Sequence, residues 1–241
     1  MKAIYLKELY AFFGSLIGYL VIGVFLILSG LFLFVFDGEF NLLNAGYADL
    51  QTFFNLTPWI MLFLIPALTM KSFADEQKTG TIELLLTMPF KDYQITLGKF
   101  FSALTLVVIA FLPTIIYVYI INQYSLFENP VDFGVIYGSY FGLIFLVSAY
   151  ISIGLFCSTL NSNQIVAFIL TILVCFFIFY GFEALSSFES LQWLSFLSMK
   201  SHYDSINKGV IDTRDLVYFL SISALFLVAT TWRLNHLITK A

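Results

Sequence analysis

Charge is scarce in this sequence. Only 11% of its 241 residues are Asp, Glu, Lys or Arg, against 60% hydrophobic, and the formal net charge is −4. Nucleic-acid binding needs a basic stripe or patch, and none is present, so nucleic acid is not expected as a partner. The two cysteines, Cys157 and Cys175, fall in apolar stretches with no His, Asp or Glu at ligand spacing. They read as small packing residues, not as a disulfide or a metal site. The two histidines, His202 and His236, lie on opposite membrane sides by the topology derived below, which excludes a shared metal site. No G-x-x-x-x-G-K-[ST] occurs, and Leu97-Gly98-Lys99 lacks the first glycine and the hydroxyl residue of a phosphate-cradling loop. No cofactor, metal ion or catalytic residue is expected.

Long apolar runs fill the space that charge leaves. The mean hydropathy is +0.93, and runs of about 18 or more apolar residues are membrane-span candidates. The fold class is therefore all-α: a polytopic membrane protein with six transmembrane helices, predicted at about 15–36, 58–70, 100–122, 133–157, 165–182 and 216–232, in a single domain over 1–241. The first span is too long for a signal-peptide core and reads as retained. Before it, Met1 to Phe13 sets Lys2, Lys7 and Glu8 against Ile4, Tyr5, Leu9, Phe12 and Phe13, the pattern of an amphipathic helix in the interface. Between the first two spans, Tyr47, Leu50, Phe53 and Phe54 share a helical period and suggest a short interfacial helix. Thr57 is expected to cap span two, with Pro58 in its first position and Pro66 as a kink. Gly138-xxx-Gly142 in span four suits close helix packing, within the chain or in a dimer.

No charged residue falls inside these six spans. Intramembrane ionisable groups mark proton relays, ion sites and membrane enzymes, so the pattern disfavours a secondary transporter, a channel with a charged filter and an intramembrane protease. Glu183, at the end of span five, reads as a solvated end residue. Basic residues give the orientation. Lys2, Lys7, Lys71, Lys78, Lys91, Lys99, Arg233 and Lys240 fall on one side, and Lys200, Lys208 and Arg214 on the other. The termini and the 71–99 segment are thus expected in the cytoplasm, and the 183–214 segment outside.

The segment Lys71 to Lys99 is the polar stretch with an internal design. Gly80 can serve as an N-cap, with Thr81, Ile82 and Glu83 in the first turn, where a carboxylate suits the helix dipole. Ile82, Leu85 and Leu86 share a face, and Pro89 ends the helix. Asp92 can cap the helix that follows, which would run through Ile95 and Lys99 into the membrane. The pattern allows either an interfacial cover or a docking helix for a partner.

Six spans, the N-terminal amphipathic helix and Glu76-x3-Gly80-Thr81-x-Glu83-x5-Pro89 with Gly98-Lys99 resemble the permease subunit of ABC-2 type transporters. Lys7-Glu8-Leu9 with Phe12, Phe13 and Ser15 is also similar to that family, whereas Leu16 stands where proline is common. The resemblance implies that the helix from Gly80 to Met88 is a cytoplasmic coupling helix, with Glu76, Gly80, Thr81, Ile82, Glu83, Leu85, Leu86 and Pro89 as its coupling residues. It also implies a separate ABC ATPase subunit and a second membrane subunit, in a homodimer or heterodimer in the bilayer. No ATP hydrolysis is then expected in this chain itself. Further stretches resemble the gliding-motility permeases of Bacteroidetes within that family. They include Asn44-Ala45-Gly46, Ser139-Tyr140-Phe141-Gly142-Leu143, His202-Tyr203-Asp204-Ser205-Ile206 and Gly209-Val210-Ile211-Asp212-Thr213-Arg214-Asp215. The expectation is an exporter's permease in a bacterial inner membrane; the rival is a non-transporting scaffold of a motility or secretion complex.

Overall fold

A computed structural model describes residues 1–42, 50–82, 90–124, 132–210 and 212–238. The described residues form helices and turns only. Chain order gives α1 (Lys2–Gly14), α2 (Leu16–Phe34), α3 (Gln51–Thr69), α4 (Ala74–Lys78) and α5 (Asp92–Phe111). A 3-10 turn at Leu112–Thr114 leads into α6 (Ile115–Tyr124), followed by α7 (Phe133–Leu160) and α8 (Gln164–Phe176). A π-helical turn (Phe177–Gly181) joins α8 to α9 (Phe182–Ser186). A 3-10 helix (Glu189–Leu197), α10 (Met199–Asn207) and α11 (Thr213–Ile238) complete the chain.

Among the described residues, six helical stretches are long and apolar enough to cross a membrane: Leu16–Phe34, Gln51–Lys78, Asp92–Gln123, Phe133–Leu160, Gln164–Ser186 and Thr213–His236. Two are central. In the spans containing α3 and α7, 72% and 78% of the apolar window is buried, against 22% to 33% in the other four. Helix α7 packs against α3, α5, α8, α10 and α11, and its small residues make that possible. A Cβ on Gly154 would lie 2.9 Å from Thr69 Cβ, and one on Gly142 would lie 2.8 Å from Ile206 Cγ2. The small face of span four is therefore occupied by α3 and α10 of the same chain.

Several boundaries differ from the sequence expectation. Span two starts at Gln51, so Leu50, Phe53 and Phe54 belong to the entry of α3, not to a separate interfacial helix. Residues 43–49, which include Tyr47 and Asn44-Ala45-Gly46, lie outside the described residues. Thr57 and Pro58 are then interior. Thr57 does not cap: its Oγ1 donates to the Phe53 carbonyl at 2.7 Å. Pro58 has no N–H for the Phe54 carbonyl, and the buried Tyr203 hydroxyl of α10 donates to that carbonyl at 2.8 Å. Burial raises the Tyr203 pKa well above the usual tyrosine value, so the hydroxyl keeps its proton throughout the physiological range.

The elbow between α1 and α2 forms without a proline. Ser15 is extended, with φ −111° and ψ 158°, and its Oγ donates to the Phe12 carbonyl at 3.1 Å. Gly18 then permits the return, since a Cβ there would sit 2.5 Å from the Phe12 carbonyl oxygen.

Candidate functional site

The third long apolar helix begins at Asp92, ahead of the apolar run that starts at Phe100, and carries Lys99 on it. The chain enters α5 through Lys91, whose N–H meets Gln94 Oε1 at 3.3 Å and whose carbonyl accepts the Gln94 N–H at 2.8 Å. Asp92 is thus the first helical residue, and the capping position belongs to Lys91. Two turns on, Lys99 is 2% exposed. Lys99 thus lies on the helix and under protein, one residue before the predicted start of span three.

Every ammonium hydrogen of Lys99 has an acceptor, each from a different segment. Its Nζ donates to Glu8 Oε1 of α1 at 3.1 Å, to Glu76 Oε1 of α4 at 2.9 Å, and to the Ser72 carbonyl after α3 at 2.7 Å. The Phe73 ring lies 4.9 Å from the nitrogen, a favourable cation–π contact. Burying an ammonium costs several kcal/mol, recovered only with good geometry and full hydrogen bonding; all three bonds here are charge-assisted, the stronger kind, and two of them go to carboxylates. Lys7 adds a second, mostly exposed cation at 3.8 Å from Glu8 and 3.9 Å from Glu76. Two carboxylates and two ammonium groups thus balance at the junction.

The neighbouring glycine explains how α1 gets close enough. A Cβ on Gly98 would stand 2.9 Å from Ile4 Cγ2, and Ile4 is the buried residue of α1. Tyr5 Oη and Thr105 Oγ1 meet at 3.1 Å, about two turns further along α5. Gly98-Lys99, which fails as a phosphate loop, is a helix–helix contact: the glycine admits α1 and the lysine holds Glu8.

Helix α4 is tied on its other side too. Gln164 Nε2 donates to Asp75 Oδ1 at 2.6 Å, and Gln77 Nε2 donates to the Thr159 carbonyl at 3.0 Å. The turn between α7 and α8, which carries no charge, therefore sits at the same end of the bundle as Glu76. A cavity of about 350 Å³ opens beside the cluster, between Lys7, Ser15, Lys71, Asp75, Glu76 and Thr81.

Of the residues named from the sequence, Glu76 is mostly buried and its Oε1 is taken by Lys99. Its Oε2 is buried with no hydrogen-bond partner among the described residues. Gly80 has φ +70°. Its N–H bonds the Gln77 carbonyl at 3.3 Å and the Thr79 N–H bonds Asp75 O at 2.9 Å. Glycine is needed there because a left-handed residue closes α4; that backbone is not the extended one of an N-cap. Thr81 is exposed, Ile82 is buried, and both are helical. Thr81 Oγ1 and Thr79 Oγ1 meet at 2.9 Å. Glu83, Leu85, Leu86 and Pro89 lie outside the described residues. Lys99 and Glu8 join the site, although the sequence places Lys99 on the helix leading into span three and Glu8 on the interfacial helix, with no contact between them.

A family model for ABC-2 family transporter proteins matches residues 3–235. The chain belongs to the ABC-2 transporter family. The match runs from α1 into the last turns of α11 and takes in the whole Lys99 cluster. A search of curated proteins finds no match. Family membership and six apolar helices make this chain a multi-pass membrane permease component, not itself the ATPase, and imply an ABC ATPase subunit and the membrane as its partners.

A second ionic cluster occupies the other end of the permease. Lys200 Nζ of α10 reaches Glu183 Oε1 of α9 at 2.7 Å and Asp204 Oδ2 at 3.0 Å. Glu183 is therefore a paired residue, not a freely solvated helix end. Burial alone would lower the Lys200 pKa, but the hydrogen bonds it donates to Glu183 and Asp204 outweigh it and raise the value above the usual one. A lysine raised on folding contributes stability that is complete below the ordinary lysine value and disappears only as pH climbs through the raised one. The Lys200 contribution is thus fully present at neutral pH.

Proposed function

We propose that this permease is the membrane half of an ATP-driven exporter, and that the stretch beginning at Gly80 receives motion from a separate cytoplasmic ATPase. The observation that carries the reading is the Lys99 cluster. It fixes α4, the helix immediately before that stretch, to α1 and α5, while Asp75 and Gln77 fix it to the α7–α8 turn. A displacement at residue 80 therefore has a stiff path to four elements. The eight-to-three distribution of basic residues supports cytoplasmic termini and a cytoplasmic Lys99 end, in a bacterial inner membrane. The resemblance to GldF, the gliding-motility permease of Bacteroidetes, supports a role in motility with a second membrane subunit, as a homodimer or heterodimer. The whole chain then acts as one ABC-2 transmembrane domain.

The test is co-purification of the ATPase at matched membrane expression. Burial of a leucine is worth roughly 1.5–3 kcal/mol, and 1.4 kcal/mol is about tenfold in affinity. Leu85→Asp is expected to insert normally and to bind the ATPase at least about tenfold more weakly. Glu83→Ala should act more mildly, at about 0.3–1 kcal/mol of dipole interaction. Undiminished binding by Leu85→Asp would remove the coupling role from this helix.

A further inference from the structure

The end of the bundle away from Lys99 holds a cavity that coupling does not use. It measures about 370 Å³ and lies between the entry of α3, the π-helical turn and α10. Small-ligand sites are mostly apolar clefts of about 300–1,000 Å³ with a few convergent polar groups, and this cavity has that make-up. Phe179 forms its floor at 2% exposure, with Trp59 edge-on to it at 5.4 Å between ring centroids and Phe40 as a further wall. Phe179 is the middle residue of the π-helical turn, a conformation that is rare and frequent at functional sites.

The polar groups decide the ligand's charge. Lys200 and Asp204 line the cavity but answer each other, and Glu183 answers Lys200 from behind. Asn55 accepts at Oδ1 from Asn207 Nδ2 at 2.9 Å, which leaves its own amide hydrogens without an acceptor among the described residues. Lys208, exposed at the end of α10, has no carboxylate within ion-pair distance among the described residues. The groups left over at the mouth are an ammonium and an amide donor beside an indole. We propose that this cavity binds a small organic anion carrying an apolar ring, with its acid group held by Lys208 and Asn55 and its ring against Trp59.

Ligand-observed NMR on the full chain in phosphatidylcholine nanodiscs tests this, with empty nanodiscs as the blank. The probes share one ring and differ in charge: phenylacetate, 2-phenylethanol and 2-phenylethylamine. Saturation transfer to the ring should be strongest for phenylacetate. Lys208→Gln should weaken phenylacetate about threefold, in the range of an exposed ion pair, and leave 2-phenylethanol unchanged. Trp59→Leu should weaken both, and Lys91→Gln, near the Lys99 end, neither. Equal binding of the three probes, or unchanged phenylacetate binding by Lys208→Gln, overturns the proposal. Because nanodiscs expose both faces, neither outcome depends on the membrane orientation or on the coupling reading.

Discussion

Lys99 and Lys7 bracket what a single cation contributes at this junction. Lys99→Ala leaves Glu8 and Glu76 facing each other around a cavity in which water must replace an ammonium. Removing one member of a buried pair costs about 3–5 kcal/mol, whereas an exposed pair is worth at most about 1 kcal/mol. Lys99→Ala should therefore lower the thermal midpoint in mild detergent sharply, Lys7→Ala hardly at all, and Lys99→Ala with Glu76→Gln should regain part of the loss. Equal midpoints for the two single variants would mean that the cluster is solvated and adds no rigidity. The sequence puts Lys99 on the helix that leads into span three, just before the unbroken apolar run that starts at Phe100, and names no partner for it. A hydropathy window registers what neighbours a residue along the chain. The three acceptors come from positions 8, 72 and 76, and only packing brings them to one nitrogen.

Single elements show where local signals compete. Thr57-Pro58 reads as a helix start, and in isolation it would be one. Tertiary structure overrides it: Tyr203 supplies the donor that Pro58 lacks, so α3 continues through both prolines to Thr69. An unsatisfied buried carbonyl costs about 1–3 kcal/mol, which is the destabilisation expected of Tyr203→Phe by thermal melting. Pro58→Ala restores an N–H for the Phe54 carbonyl. Tyr203→Phe should consequently cost clearly less in the Pro58→Ala background; full additivity would show that the Tyr203 hydroxyl does not compensate the proline. Gly80 is a similar case. The sequence marks it as the residue before the helical Thr81, and misses that its left-handed backbone also closes α4, since that depends on φ.

At the scale of the whole molecule, the all-helical class and six crossings were legible because a bilayer permits few other ways to satisfy a backbone. Which spans are central was not. All six are apolar, and lipid and protein interior select the same side chains, so hydropathy is silent on the difference between α7 and α11. Small residues are the better guide, and Gly142 and Gly154 do mark the central helix. Sidedness is a separate question, open to a direct measurement. Single cysteines at positions 78 and 204, in a background where Cys157 and Cys175 are replaced, should react with an impermeant reagent in intact spheroplasts at 204 only. Labelling at 78 alone would invert the orientation.

The contact between Glu8 and Lys99 spans 91 residues of sequence, and synthesis has a direction. At about 5–20 residues per second, α1 emerges roughly 5–18 s before its lysine exists. During that interval its glutamate has no permanent counter-ion and Ile4 has no Gly98 to pack on. Helix α1, made before α2 to α5, is thus among the later ones to reach its final place, and the junction assembles only when the third crossing arrives.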